Sequence, residues 1–144
     1  MTARGLRNNN GGNLRTGSPW RGLAEPHEMT DEQLAEDEFC VFIAPIYGIR
    51  ALCKLLINYN TRHGLNTIRG IISRYAPASE NDLEAYIHHI AVAVGYGADH
   101  ELNIYSHAVM RRLVVAIITH ENGACPYSHE IDDGMLLAGI RNGT

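Results

Sequence analysis

The chain has little of several features that would assign it to a common class of protein. It holds a single lysine, Lys54, against eleven arginines, and its formal net charge of −4 is mild, so the composition does not indicate a patch that binds duplex nucleic acid. Its longest apolar run, 113–118, is far too short to span a bilayer. The N-terminus lacks the apolar segment of a signal peptide. The sequence therefore predicts a soluble protein, made in the cytoplasm, that neither binds nucleic acid nor inserts into a membrane.

Metal and nucleophile signatures are also missing. The three cysteines, Cys40, Cys53 and Cys125, form no C-x-x-C pair, so we expect reduced, half-buried thiols rather than disulfides or a zinc ribbon. His120 and Glu121 lack the second histidine of an H-E-x-x-H motif, because position 124 is alanine. No G-x-S-x-G element or P-loop is present. We expect no metal and no cofactor.

Helical periodicity is the main structural signal. A chain of 144 residues fits one domain, spanning 1–144. Residues 1–29 have the composition of a loop. A capping box at 30–33 predicts a short helix through about residue 36, and 39–44 is a brief β-type run. Helices are predicted over 45–63, 65–75, 79–94, 105–120 and 129–141, with caps at Ser79 and Ser128 and ends at Gly64 and Gly95. The predicted fold class is mainly α, with one small strand or hairpin near 39–44.

The helix at 105–120 leads into "THENG", which places a carboxylate where the helix meets a loop. The C-terminal end of a helix prefers cations, so Glu121 is poorly placed for stability. The preceding residues, 113–118, are apolar on every side, which predicts a central, buried helix. Partial desolvation at the edge of the core favours the protonated form of a carboxyl group, as a general acid for glycosidic cleavage requires. The alternative is a solvated glutamate beside a turn.

Two other segments contain candidate binding residues. In "RNNNGGNLR" and "PWRGL", Asn10 and Asn13 offer amide donors and acceptors, Trp20 offers a face for stacking on a sugar, and the arginines at 7, 15 and 21 offer sites for carboxylates or phosphates. The alternative is a surface loop that is held together by its own Asx-turns.

The segment "SRYAPASENDLEAYIHHI" at 73–90 also contains candidate binding residues. Glu80 is a candidate acid, and Tyr75 and Tyr86 are candidates to line a groove. In the alternative interpretation, Ser79, Glu80 and Asp82 cap a helix and favour its dipole, while the two tyrosines lie at the edge of the core.

Taken together, these segments resemble a family of phage and prophage proteins often described as virion structural proteins. The family motifs are R-N-N-N-P-G-N-[LI]-R, W-x-G-L, F-x-x-F, a "GIRAL" helix, "tI..II.rWaPp.END...Yi" and a final "HENG..Py", and they match from Arg4 to about Ala138. The chain departs from them at four loop or packing positions: Gly11, Tyr75, Ala78 and Leu83. Some members of the family resemble murein-degrading lysis enzymes.

The same segments also resemble those of lytic transglycosylases. There, a helix ends in a catalytic E-S-G, followed by a Gly-rich loop, Y-N-A-G and E-T-x-x-Y-V. Here "HENG", "NNNGGNLR...W.G", "YAP" and "END..AYI" resemble these elements in rotated order. The resemblance implies a circularly permuted lysozyme-like fold, which requires only that the original termini lay close together, and it matches Glu121 to the catalytic acid.

The function implied by this resemblance is cleavage of the β-1,4 bond between N-acetylmuramic acid and N-acetylglucosamine in peptidoglycan. Glu121 is the general acid and base, and Asn10, Asn13, Trp20, Tyr75, Glu80 and Tyr86 are expected to bind substrate, with Asn13 and Tyr86 holding the N-acetyl group or steadying the carboxyl. A second carboxylate would give hydrolysis, and Asp37, Glu38 and Glu80 are the candidates. Without one, the muramic 6-hydroxyl attacks and a 1,6-anhydro product forms.

The expected partner is the glycan strand of the cell wall, reached through a holin, a virion or a secretion apparatus. Two rival functions remain open. One is a non-catalytic virion or wall-binding module with the same fold, because a fold does not fix a function. The other is a murein peptidase, which would normally need zinc or a Cys-His pair.

Overall fold

A computed structural model of the protein describes residues 2–76 and 82–143. In these residues the chain forms seven α-helices and one short 3₁₀-helix, Pro26–Glu28. The α-helices are α1 (Arg4–Arg7), α2 (Asp31–Leu34), α3 (Pro45–His63), α4 (Ile68–Tyr75), α5 (Leu83–Val94), α6 (His107–Asn122) and α7 (His129–Leu137). The predicted mainly α class is confirmed.

Helix α6 is the centre of the packing, as its apolar sequence predicts. It packs against α5 and α7 and also contacts α1 and α3. Its buried residues include Met110, Leu113, Val114, Ile117 and Ile118. Because β-branched residues form helices weakly on their own, this helix depends on its packing for stability. The C-terminal end of α6 is therefore fixed by the core.

Helices α3 and α7 form the other large contact of the fold. Gly134 of α7 lies so close to α3 that a Cβ there would come within 2.5 Å of the Ile49 side chain. The buried face of α3 includes Ile49, Leu52, Cys53 and Leu56, and burial raises the pKa of the Cys53 thiol to about 12. All three cysteines are free thiols.

The predicted boundaries of several helices are confirmed. The capping box of Thr30 and Gln33 starts α2. Helix α3 begins at Pro45 and ends at His63, and the next residue, Gly64, has a left-handed φ of 66°. Gly95 follows the last residue of α5 in the same conformation, with a φ of 86°. Left-handed backbone at these two ends is the reason for glycine.

Other boundaries differ from the prediction. Helix α4 begins at Ile68 rather than 65, because the Thr67 hydroxyl accepts the backbone N–H of Gly70 and caps the helix there. Asp82 caps α5 by accepting the N–H of Ala85, while the predicted cap, Ser79, lies outside the described residues. Helix α6 extends to Asn122, so that Glu121 is in its last turn.

The two ends of the chain are also organised differently from the prediction. The expected loop at 1–29 contains the helical turn α1 and a 3₁₀-helix. The β-type run at 39–44 pairs with this region through two isolated antiparallel bridges, Arg15 to Phe39 and Leu23 to Phe42. Helix α7 ends at Leu137 rather than 141, ahead of Gly139 with its φ of 96°.

Among the described helices, none combines the length and apolarity that crossing a membrane requires.

Candidate active site

Glu121 lies half-buried in the last turn of α6, and both of its carboxylate oxygens accept hydrogen bonds. The Asn13 side-chain amide donates to Oε1 at 3.0 Å, and the Tyr86 hydroxyl donates to Oε2 at 2.8 Å. These two donors come from the segment "RNNNGGNLR" at 7–15, here called the Asn-rich segment, and from α5. The carboxylate is thus fixed by two neutral groups at a helix end that disfavours negative charge.

The end of α6 is joined to the Asn-rich segment by a second residue. The Asn122 side-chain amide donates to the carbonyl of Ile118, within the helix, and to the carbonyl of Gly11. Gly123 then ends the helix with a φ of 80°. The pair Glu121–Asn122 therefore holds the segment against α6 from two adjacent positions.

Close backbone approach explains the composition of the Asn-rich segment. Asn9 and Asn13 adopt left-handed backbone, with φ of 54° and 53°, a conformation that asparagine tolerates better than most residues. At Gly5, a Cβ would come within 2.4 Å of Asn122 Oδ1 and 2.8 Å of Asn13 Oδ1. The asparagines and this glycine therefore allow the segment to lie directly against the end of α6.

The prediction that Asn10 binds substrate is wrong. Asn10 is fully buried, and its side chain is occupied by the backbone: its amide donates to the carbonyls of Leu14 and Cys40, and its Oδ1 accepts the N–H of Leu14. One side chain thus satisfies three backbone groups that would otherwise be buried without partners. For Asn10, the alternative of a loop that holds itself together is correct.

A cleft of about 760 Å³ opens beside Glu121. Of the predicted site residues, Asn13, Trp20, Tyr75 and Glu121 line it. Its other lining residues are Gly12, Leu14, Arg15, Ser18, Phe39, Leu55, Tyr59, Arg74 and Ala76. This volume suits a small or extended ligand, and aromatic, amide and charged groups face it.

Tyr86 supports the site from a buried position and Tyr75 from a half-buried one. Tyr86 is completely buried, so the prediction that it lines the groove is wrong. Its hydroxyl donates to the Glu121 carboxyl, which is one of the two roles proposed for it from the sequence. The Tyr75 hydroxyl donates to the carbonyl of Gly12. Burial, with the nearby Glu121 charge, raises the pKa of both phenols well above the ordinary value. Both hydroxyls therefore stay protonated and act as donors.

Two histidines pack behind Tyr86. The ring of His120 stacks on Tyr86 with 3.6 Å between centroids, and its Nδ1 lies 2.6 Å from Nδ1 of His89. Burial lowers the pKa of His120, and His89 lowers it further, while Glu121 opposes the shift. His120 is therefore neutral near neutral pH, and its ring holds Tyr86 in the orientation that contacts Glu121.

The lowered pKa of His120 predicts that acid weakens the fold. The unfolded chain protonates His120 near its ordinary value of 6.5, whereas the folded protein resists protonation, so stability falls as the pH drops below that value. We compare the free energy of unfolding in urea at about pH 7.5 and at about pH 5.5. The decrease between these two pH values is expected to be smaller for His120→Gln than for the native protein. His63→Gln, at the exposed end of α3, is the control and should keep the native loss. Equal losses in all three proteins would contradict this prediction.

The candidates for a second carboxylate do not line the cleft. Asp37 is 93% exposed and lies 3.9 Å from Arg4. Glu38 lies 3.5 Å from Arg4 and 3.7 Å from Arg15. Glu80, predicted both as a possible acid and as a substrate-binding residue, lies outside the described residues. Among the residues that the structure describes, Glu121 is the one carboxylate of the cleft.

Several cleft residues were not predicted. Phe39, Tyr59 and Arg74 line it, and their sequence positions gave little sign of this. Arg15, proposed from sequence to bind carboxylates, does line the cleft, whereas Arg7 pairs with Glu36 at 2.7 Å instead. In the described ranges, no group of three or more His, Cys, Asp or Glu side chains is placed to hold a metal. The absence of a metal and a cofactor stays a prediction.

The structure thus defines a mainly α protein with a glutamate fixed in an aromatic- and arginine-lined cleft. The chain is 38% identical over 132 residues to Protein P5 of Pseudoalteromonas phage PM2, a match that covers 89% of this chain and 76% of Protein P5. The chain belongs to the family of this phage protein. No protein-family model matches it. The predicted resemblance to phage proteins is confirmed, and the enzymatic activity stays a prediction.

Proposed function

We propose that this protein is a peptidoglycan-degrading glycosidase that cleaves the β-1,4 bond between N-acetylmuramic acid and N-acetylglucosamine, with Glu121 as its general acid and base. The observation that carries the proposal is the fixed position of Glu121 in the cleft, with each carboxylate oxygen bonded to one donor. Such precise fixing of a carboxylate against the helix dipole costs stability. A glutamate that is only solvated beside a turn would not require two hydrogen-bond donors to hold its carboxylate in place.

Each of the four segments that resemble lytic transglycosylase motifs contributes one described residue at or near this carboxylate. "HENG" provides Glu121, the Asn-rich segment provides Asn13, "YAP" provides Tyr75, and "END..AYI" provides Tyr86. Asn13 and Glu121 are 108 positions apart in the sequence. Their meeting supports a lysozyme-like arrangement in permuted order, and this fold assignment is part of the proposal.

The proposed chemistry follows from a single acid. Protonated Glu121 donates its proton to the glycosidic oxygen, the bond to the muramic anomeric carbon breaks, and an oxocarbenium-like state develops. The muramic 6-hydroxyl then attacks that carbon and returns its proton to Glu121, which gives a 1,6-anhydro product and restores the acid. Asn13 and Tyr86 hold the carboxyl in one orientation through both steps.

The site of action would be the cell wall, and the partner would be its glycan strands. The relative from a phage supports delivery by a virion or at lysis. A non-catalytic wall-binding or structural module is the competing function, since the same aromatic cleft would also hold a sugar without cleaving it.

Incubation of purified, dye-labelled sacculi with the protein separates these two functions. A glycosidase releases soluble dye in proportion to time and protein concentration. A binding module sediments with the sacculi and releases none. Heat-unfolded protein serves as the control for release that needs no folded site. Binding without release would overturn the proposed activity.

Tyr86→Phe tests the contact that fixes the carboxyl. Removing the hydroxyl leaves Oε2 of Glu121 without its donor, and a hydrogen bond to a charged group contributes about 1.5–3 kcal/mol. We expect release from sacculi to slow by roughly tenfold or more, with an unchanged circular dichroism spectrum. Tyr96→Phe, an exposed tyrosine outside the cleft, is the matched control. A native rate for Tyr86→Phe would show that this contact plays no part in the reaction.

A further inference from the structure

Two arginine–aromatic pairs line the cleft beside Glu121. The guanidinium carbon of Arg74 lies 5.5 Å from the centre of the Tyr59 ring, and that of Arg15 lies 5.1 Å from the centre of the Phe39 ring. All four side chains line the same cavity. A guanidinium that stacks on an aromatic face is held in orientation while its N–H groups remain available to a planar anion.

The charge of the cleft differs in sign from that of the protein. The whole chain has a formal net charge of −4, yet the charged side chains among the described lining residues are Arg15, Arg74 and Glu121. Two of these three side chains are cationic, so the described lining of the cleft holds more positive than negative charge. A cleft that binds a neutral polymer has no need of this charge.

Arg74 differs from Arg15 in having its charge available to a ligand. It is exposed near the C-terminal end of α4, next to Tyr75, and no carboxylate in the described part of the chain lies within ion-pair distance of it. Arg15, in contrast, lies 3.7 Å from Glu38. Arg74 is therefore placed to give its charge to a ligand, while Arg15 adds to the positive potential of the same cavity.

We infer that Arg74, supported by Arg15, forms a subsite that binds carboxylate groups of the glycan, so that the protein selects anionic strands over neutral ones. Trp20 lines the same cleft and offers a ring face to a sugar, and the guanidinium suits a carboxylate attached to that sugar. This inference rests on the proposed function for the identity of the strand. The carboxylate has two possible sources, the lactyl group of muramic acid and the peptide stem.

The single tryptophan of the chain allows a direct binding test, because Trp20 lines the cleft. Its fluorescence is titrated in the Glu121→Gln protein with three ligands of equal length: peptide-free glycan strands with lactyl carboxylates, peptide-bearing strands, and neutral chitin oligosaccharides. We expect the carboxylate-bearing strands to bind about tenfold or more tightly than chitin, and the preference to shrink when salt is raised to about 1 M. Tight binding of the peptide-free strands identifies the lactyl carboxylate, and preference for the peptide-bearing strands alone identifies the stem.

Adding Arg74→Gln to the Glu121→Gln protein is expected to weaken the binding of the anionic strands about tenfold and to leave the binding of chitin unchanged. The preference for anionic strands is then lost. Arg62→Gln, which removes the same charge from the exposed end of α3, is the matched control and should keep it. Equal binding of all three ligands, a preference that survives Arg74→Gln, or no binding of the anionic strands overturns the inference. Failure of the proposed function has a different signature, since the native protein then releases nothing from sacculi whatever these titrations show.

Discussion

Replacing Glu121 by glutamine is expected to lower the release of muropeptides from sacculi by about 10²–10⁴-fold, the usual contribution of general acid–base catalysis. The variant keeps the shape of the side chain but has no proton to donate to the glycosidic oxygen. Its amide oxygen still accepts from Asn13, and the Tyr86 hydroxyl can turn to accept from its amide nitrogen. The rate is measured as soluble dye per minute from labelled sacculi.

The stability of this variant separates a catalytic role from a structural one. Glu121 places negative charge at the C-terminal end of α6, so its removal should leave the melting temperature unchanged or slightly higher. Glu101→Gln, in the exposed loop before α6, is the matched control and should keep the native rate. A Glu121→Gln protein that unfolds easily, or one that works at the native rate, would count against the acid role.

The second large effect is expected at Glu36, whose carboxylate connects the N-terminal segments. Its side chain is 0% exposed and lies 2.7 Å from the guanidinium nitrogens of both Arg4 and Arg7. It also accepts hydrogen bonds from the Asn8 side chain and from the backbone N–H groups of residues 38 and 39. Since Arg7 and Asn8 lie in the Asn-rich segment that carries Asn13, this cluster supports the candidate site from a distance.

Glu36→Gln is expected to lower the free energy of unfolding by about 2–3 kcal/mol and the melting temperature by about 5–10 °C. Glutamine has one acceptor oxygen, and its amide hydrogens would face the two guanidinium groups. The expected loss is smaller than for a deeply buried pair, because Arg4 reaches the surface and water screens the charges in part. Urea and thermal unfolding at neutral pH measure both quantities.

The pH dependence of this effect follows from the pKa of Glu36. The Arg4 hydrogen bond, with those from residues 38, 39 and Asn8, holds that pKa well below its ordinary value of 4.5. The stabilisation is therefore complete above 4.5 and is lost as the pH falls below it. The difference between Glu36→Gln and the native protein should shrink in acid. Glu84→Gln, which breaks an exposed pair with Arg69, is the control. If Glu84→Gln lowered the free energy of unfolding as much as Glu36→Gln does, the special role of the Glu36 cluster would be contradicted.

Local signals predicted most of the helices and part of the site. The capping box at Thr30, the glycine ends at Gly64 and Gly95, and the apolar run of α6 depend on nearby residues alone, and the structure confirms each. The placement of Glu121 followed from the same reasoning, because a carboxylate at the end of a central helix must lie near the core boundary.

Contacts between distant segments were harder to predict. Asn10 and Asn13 have the same side chain in the same segment, yet one bonds the backbone and the other bonds Glu121, 108 positions away. The resemblance to lytic transglycosylase motifs predicted that Asn13 and Tyr86 lie near Glu121. Composition alone did not predict this. Tyr59 and Arg74 lie on helices whose faces become a cleft only when the N-terminal segment packs beside them.

Mass spectrometry of the soluble products from purified sacculi tests the central claim most directly, with the native protein and Glu121→Gln treated in parallel. A single acid in the cleft predicts 1,6-anhydro muropeptides from the native protein and none from the variant. Reducing-end muropeptides from the native protein would contradict the single-acid mechanism and require a second carboxylate near the cleft. Anhydro products in equal amounts from both proteins would contradict the assignment of Glu121 as the acid.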